Sequence, residues 1–191
     1  MQILDVRRET DHTHVNLYRA TYQDKTGKER SWLFASRKTV PTALKKETTP
    51  DAVVIVPYHL EEEKLVMIRE YRVPLGGIQY GFPAGLVDAD ETIETTASRE
   101  LHEETGLDIV RIRRQSPLIY SSSGLTDESL VLVFAECRGR PTSRHTGDAE
   151  DIEVVMLTQK AAIHLRENSD LSFDVKSWLV LDTFAETGRI A

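Results

Sequence analysis

Hydrophobic and polar positions along this chain follow two periods, and the switch between them marks out its elements. From Val15 to Tyr22 the alternation suits a half-buried strand. Asp24-Lys25-Thr26-Gly27 supplies a turn, and Ser31 to Ala35 resumes the pattern through Trp32, Leu33 and Phe34. A β-hairpin of this size does not hold itself together in water, so it needs a main domain or a second subunit to pack on. Thr39 to Pro50, with two prolines and few large apolar residues, reads as a linker. Ala52 to Tyr58 is a β-branched apolar run suited to a buried strand, and Leu65 to Tyr71 returns after the polar turn at Glu61-Glu62-Glu63-Lys64. Further strands are expected at Val110 to Arg113, Leu118 to Tyr120, Leu130 to Cys137 and Ile152 to Leu157. A helical period appears where Ile93, Ala97 and Leu101 recur at i, i+4 and i+8, and again over Gln159 to Glu167 and Phe173 to Thr187.

Composition narrows the class. With 191 residues, 40% hydrophobic and 29% charged, the chain suits one globular domain with an appendage. A formal charge of −7 argues against a general nucleic-acid-binding surface. No apolar run is long enough for a transmembrane helix and the N-terminus shows no secretory signal pattern, so no membrane partner and a cytoplasmic location are expected. Cys137 is the single cysteine and sits in an apolar strand-like run, which suits a buried inert thiol. The histidines at positions 12, 14, 59, 145 and 164 show no metal-ligand spacing.

The candidate chemistry lies on the first helix. Glu100, Glu103 and Glu104 fall within a sector roughly 100° wide, beside Arg99 and next to the apolar stripe. Carboxylates crowded on one face repel one another. A divalent cation removes that cost, and hard oxygen ligands suit Mg²⁺ or Mn²⁺. A solvated acidic face is the plainer alternative. Gly85 and Gly106 bracket the unit, as a tight loop before the helix and a C-terminal cap after it.

Gly85, Glu91, Arg99, Glu100, Leu101, Glu103, Glu104, Gly106 and Leu107 occupy every position of a known pattern. It is Gly, five residues, Glu, seven residues, then Arg-Glu-apolar-x-Glu-Glu-x-Gly-apolar, and the stretch thereby resembles the Nudix box. With fixed residues each at roughly 6% frequency, a chance match lies below about 10⁻⁸ per start position. The resemblance implies an α/β fold, a Nudix α/β/α sandwich, here with a small N-terminal β-hairpin subdomain. It also implies metal-dependent hydrolysis of a nucleoside diphosphate linked to another moiety. The domain division is residues 1–45 for the β-rich subdomain and 50–191 for the hydrolase.

The flanks are similar to the ADP-ribose pyrophosphatase branch of that family. They are Ile68-Arg69-Glu70-Tyr71-Arg72, Phe82-Pro83-Ala84-Gly85-Leu86-Val87-Asp88, Tyr120-Ser121-Ser122-Ser123-Gly124-Leu125-Thr126-Asp127-Glu128 and Glu150-Asp151-Ile152-Glu153-Val154. Ser123 departs from the branch, which usually has proline there. What the resemblance implies is hydrolysis of ADP-ribose to AMP and ribose 5-phosphate. A Nudix pyrophosphatase for another nucleoside diphosphate sugar, or an ADP-ribose-sensing module without hydrolysis, are the alternatives.

By the same resemblance, Glu100 and Glu104 are the principal ligands of Mg²⁺ (or Mn²⁺). Glu103 adds a third carboxylate and the Ala84 carbonyl a neutral ligand. Arg99 orients a box glutamate, and Glu91 fixes the loop or touches metal indirectly. Arg72 is the better phosphate-binding candidate, Arg69 is balanced between substrate and structure, and Glu128 faces the ribose. Glu150 is the expected general base, with Asp151 and Glu153 as neighbours that could take the role. Tyr18, Tyr22 and Trp32 are candidates to stack on adenine or to pack the hairpin. The N-terminal hairpin is expected to exchange between the subunits of a homodimer.

Overall fold

The computed structural model describes residues 1–45, 48–142 and 151–190. The chain divides into two compact units. One comprises Met1–Ala52 with Leu118–Leu130, the other Val53–Pro117 with Val131–Ala191. The first unit therefore recruits a segment from the middle of the chain.

In the first unit, β1 (Gln2–Arg8), β2 (Asn16–Gln23) and β3 (Glu29–Ser36) form an antiparallel sheet with β2 in the centre. The expected hairpin is thus a three-stranded sheet. β1 escapes a reading by periodicity because six of its seven residues are exposed and no apolar face develops along it. Tyr18, Ala20 and Phe34 make a small core, with the Tyr18 and Phe34 rings stacked 5.9 Å apart. The mid-chain segment is stitched on by backbone pairing. Ala35 N–H donates to Leu125 O at 2.8 Å, and Trp32 Nε1 donates to Gly124 O at 3.1 Å.

The main sheet has the order β11 (Ile152–Leu157), β5 (Lys64–Arg72), β4 (Ala52–His59), β10 (Ser129–Arg138), β8 (Asp108–Gln115). Short strands β6 (Gly77–Gly81), β7 (Ala84–Leu86) and β9 (Ile119–Tyr120) pair with β5, β4 and β10 respectively. β9 meets the start of β10 within the first unit.

β4 is buried along nearly its whole length, which explains its unbroken apolar run. Its side chains alternate between faces. Val53 and Ile55 pack with Ala97 and Leu101 of α1 (Ile93–Thr105). On the opposite face, Tyr58 meets Phe184 of α3 (Val175–Thr187) edge-on at 6.3 Å. α2 (Gln159–Arg166) packs on α3. Helices on both faces of a mixed sheet make the expected α/β/α sandwich. Cys137 is fully buried in the α1 face of the core, and burial pushes its thiol up to about 12, so it stays protonated and inert.

Candidate functional site

The site grows from the way α1 begins and from what it is laid against. Thr92 caps its N-terminus by accepting from Thr95 N–H, and Gly106 closes it in the left-handed conformation. Leu101 and Ala97 are fully buried. Glu104 follows them at i+3 and i+7, so the apolar stripe carries its carboxylate inward, where only 7% of the residue is exposed. Glu103, on the outer side of that stripe, is exposed. The three box glutamates thus occupy graded environments on one helix.

β7 runs past this helix. Ala84 N–H donates to Glu104 Oε2 at 3.3 Å. The next residue is glycine, and a Cβ there would lie 1.7 Å from Glu100 Oε1, in the place the carboxylate now takes. The Glu100 carboxylate is therefore seated directly on the backbone of the Ala84–Leu86 strand. Two carboxylates from α1 converge on consecutive residues of one loop-like strand, 84 and 85.

Arg99 holds the cluster together. Its Nε and Nη2 bind both oxygens of Glu91 at 2.8 Å, a bidentate pair. Nη1 reaches Glu100 Oε1 at 2.6 Å and Glu103 Oε2 at 3.3 Å, while Nη2 also reaches Leu86 O at 3.3 Å. The hydrogen bond from Arg99, followed by that from Thr96, lowers the Glu91 carboxyl to about 2. Reciprocally, Glu91 and then Glu100 raise the guanidinium further above its already high range. Arg99 is fully committed to protein oxygens, as befits a residue that places carboxylates.

Among the described residues, no three acidic side chains already sit at metal-ligand spacing. The donor set nevertheless fits a hard divalent cation. It consists of carboxylate oxygens, one of them lying in a cradle that any Cβ at residue 85 would fill. Glu100 and Glu104 are the residues that would hold such an ion beside residues 84 and 85.

The remaining sequence candidates have partners of their own. Arg72 ends β5, half-exposed, with Nη1 on Glu70 at 2.8 Å. Arg69 forms an ion pair with its cross-strand neighbour Glu153, and its guanidinium lies 5.7 Å from the Tyr80 ring centre. Its Nε is buried without a hydrogen-bond partner. Glu128 belongs to the first unit, where it accepts from Arg37 at 3.4 Å and from Ser121 Oγ at 3.0 Å. Glu150 lies outside the described residues. Asp151 enters β11 with its carbonyl accepting from Tyr71 N–H at 3.2 Å.

Of the three aromatic candidates, Tyr18 is 4% exposed with its hydroxyl on Lys38 O, which makes it a core residue. Tyr22 and Trp32 instead line an apolar cavity of about 640 Å³ within the first unit, together with Phe34 and Tyr120. Sequence reasoning does not single out Tyr120 for this place, because only the packing of its segment on β3 brings it there.

A model of the NUDIX domain matches residues 48–176. The chain is 32% identical to the ADP-sugar pyrophosphatase of Mus musculus, over 75% of this chain and 66% of that protein. It is 34% identical to the ADP-ribose pyrophosphatase of Saccharomyces cerevisiae, over 69% of this chain and 56% of that one. The chain thus spans somewhat under two thirds of the length of these relatives. A solved structure titled as an ADP compounds hydrolase superposes over 100% of the chain and 96% of its own, with a TM-score of 0.74 at 21% identity, a likeness of fold. With the domain matched over more than half its length and every box residue gathered around β7 and α1, the chain belongs to the Nudix family.

Proposed function

We propose that the chain hydrolyses the pyrophosphate bond of ADP-ribose, releasing AMP and ribose 5-phosphate, in a reaction that depends on Mg²⁺ or Mn²⁺. The observation that carries this reading is the convergence of Glu100 and Glu104 on residues 84 and 85, organised by Arg99. Relatives named ADP-ribose and ADP-sugar pyrophosphatase support the substrate class. The aromatic cavity of the first unit supports a nucleotide, since Tyr22, Trp32 and Tyr120 offer flat apolar surface to a purine.

A bound divalent ion supplies charge neutralisation on the pyrophosphate and a more acidic water. The protein's own part is placement. Glu100 and Glu104 would hold the ion with Glu103 and the Ala84 carbonyl, and Arg99 keeps the Glu100 and Glu103 carboxylates from drifting. Arg72, at the end of β5, is assigned to bind phosphate ahead of Arg69; each is ion-paired, with Glu70 and Glu153 respectively. Glu128 is assigned to the ribose and Glu150 to taking the proton of the attacking water, with Asp151 next in order. The exposed Leu17 and Leu33 lie on the sheet face away from Tyr18 and Phe34, which supports a homodimer in which this sheet meets a second copy.

The test is a panel of ADP-ribose and other nucleoside diphosphate sugars, GDP-mannose among them, with phosphomonoester products measured in Mg²⁺ and in chelator. ADP-ribose is expected to be turned over most efficiently, and only with metal. Preference for another sugar moves the assignment within the nucleoside diphosphate sugars. Binding without turnover overturns it in favour of a sensing module. Among the described residues, no helix is long and apolar enough to cross a membrane.

A further inference from the structure

His59, the last residue of β4, is 1% exposed and far in sequence from the box. Its ring bridges two backbone groups. Nε2 lies 3.0 Å from Gly139 O, and Glu62 N–H donates to Nδ1 at 3.2 Å. A carbonyl only accepts and an amide N–H only donates, so these contacts assign the neutral tautomer with hydrogen on Nε2. The imidazole thereby clamps the chain at Gly139, just beyond β10. Leu60 N–H adds a second tie by donating to Cys137 O at 3.0 Å.

The clamped segment is a strap across the end of α1. Gly139 has φ of +119°, a conformation that favours glycine, and a Cβ there would sit 3.5 Å from Gly106 O and 3.6 Å from Leu107 Cδ2. Three residues on, Thr142 N–H donates to Thr105 O at 2.8 Å, satisfying one of the carbonyls that the helix leaves open at its C-terminus. A Cβ on Gly106 would meet Thr142 Cγ2 at 2.4 Å, so strap and helix end are in direct contact. Thr105 immediately follows Glu103 and Glu104. A helix is stiff over one turn, so displacing its last turn displaces both carboxylates.

We propose that His59 is a positioning residue for the carboxylates of α1, acting through the strap Gly139–Thr142. The inference rests on the reading of those carboxylates as the metal site. His59→Leu removes both ring hydrogen bonds, whereas His59→Gln retains an amide donor for Gly139 O and a carbonyl acceptor for Glu62 N–H. Thr142→Pro leaves the buried ring in place and removes the donor to Thr105 O together with the threonine side chain.

The experiment titrates Mn²⁺ into each substrate-free protein, reading free ion by electron paramagnetic resonance, alongside thermal unfolding and kcat and KM at saturating Mg²⁺. His59→Leu and Thr142→Pro are expected to weaken Mn²⁺ binding about tenfold, at the low end for partners that orient metal ligands, and to lower kcat with KM little changed. His59→Gln is expected to recover most of the wild-type affinity. Unaltered Mn²⁺ affinity in folded His59→Leu overturns the proposal, and if that variant does not fold, unaltered affinity in Thr142→Pro does so. Wild-type protein that binds no Mn²⁺, or that binds it equally well as Glu104→Gln, fails the metal-site reading itself and is recognised separately.

Discussion

Gly85→Ala separates placement of the Glu100 carboxylate from stability of the fold. Gly85 does not adopt a positive φ, so alanine meets no backbone obstacle. Its methyl group would nevertheless lie 1.7 Å from Glu100 Oε1 and 1.9 Å from Cδ. Ordinary contacts between such atoms need about 3.5 Å, so the carboxylate has to retreat by roughly 1.5–2 Å. It ends a flexible side chain and can do so by changing rotamer. The folding penalty is therefore the weakened contact with Arg99, which keeps its bidentate hold on Glu91. That is about 1 kcal/mol, or about 2–4 °C in Tm for a chain of this size. Catalysis is far more sensitive, because a misplacement of about 1 Å costs roughly 10²-fold. The expected result is a kcat/KM lowered about 10²-fold or more for ADP-ribose, with calorimetric Tm within a few degrees of wild type. Activity near wild type would refute the claim that the Glu100 carboxylate works where it is seated. Collapse of the fold would refute the claim that it can move cheaply.

Glu104→Gln is expected to lower kcat by about 10² or more at saturating Mg²⁺ with the fold intact by circular dichroism; near-normal turnover would remove Glu104 from the metal site. Glu91 has a folded-state pKa depressed from an ordinary 4.5 to about 2, so its pairing with Arg99 stabilises the protein above pH 4.5 and is lost as pH falls towards 2. Urea unfolding should accordingly show stability falling across that window in wild type and falling less steeply in Glu91→Gln; identical slopes would contradict the pairing. Glu150→Gln should lower kcat by roughly 10²–10⁴ with KM little changed. If it is silent while Asp151→Asn is not, the base is the neighbouring residue, and if both are silent neither supplies it. Light scattering at micromolar concentration should report about twice the chain's 21.7 kDa, and a fully active monomer would reject the subunit exchange.

What the sequence by itself determined is what short-range periodicity encodes. A helix converts spacing into direction, so Ile93, Ala97 and Leu101 told where the core lay, and the offsets of 100, 103 and 104 told that three carboxylates share a side. Buried strands such as β4 announced themselves because both faces need apolar residues. The bracketing glycines were visible, but the reason for Gly85 was not. That reason is the passage of β7 against α1, a contact between residues fifteen apart that no local pattern encodes. Tertiary structure also decided which partner each charge took. Arg69 turned to Glu153 across the sheet, and Arg99 gathered Glu91, Glu100 and Glu103 at once. Sequence offered Tyr18, Tyr22 and Trp32 as equals, yet only register and packing made Tyr18 a core ring and left the other two along a cavity. The recruitment of residues 118–130 to the first unit, and the buried bridge made by His59, depend on long-range closure. In both, a ring nitrogen, of Trp32 or of His59, meets a backbone carbonyl about 80 or more residues away, and a carbonyl, which every residue type carries, leaves no mark on the sequence.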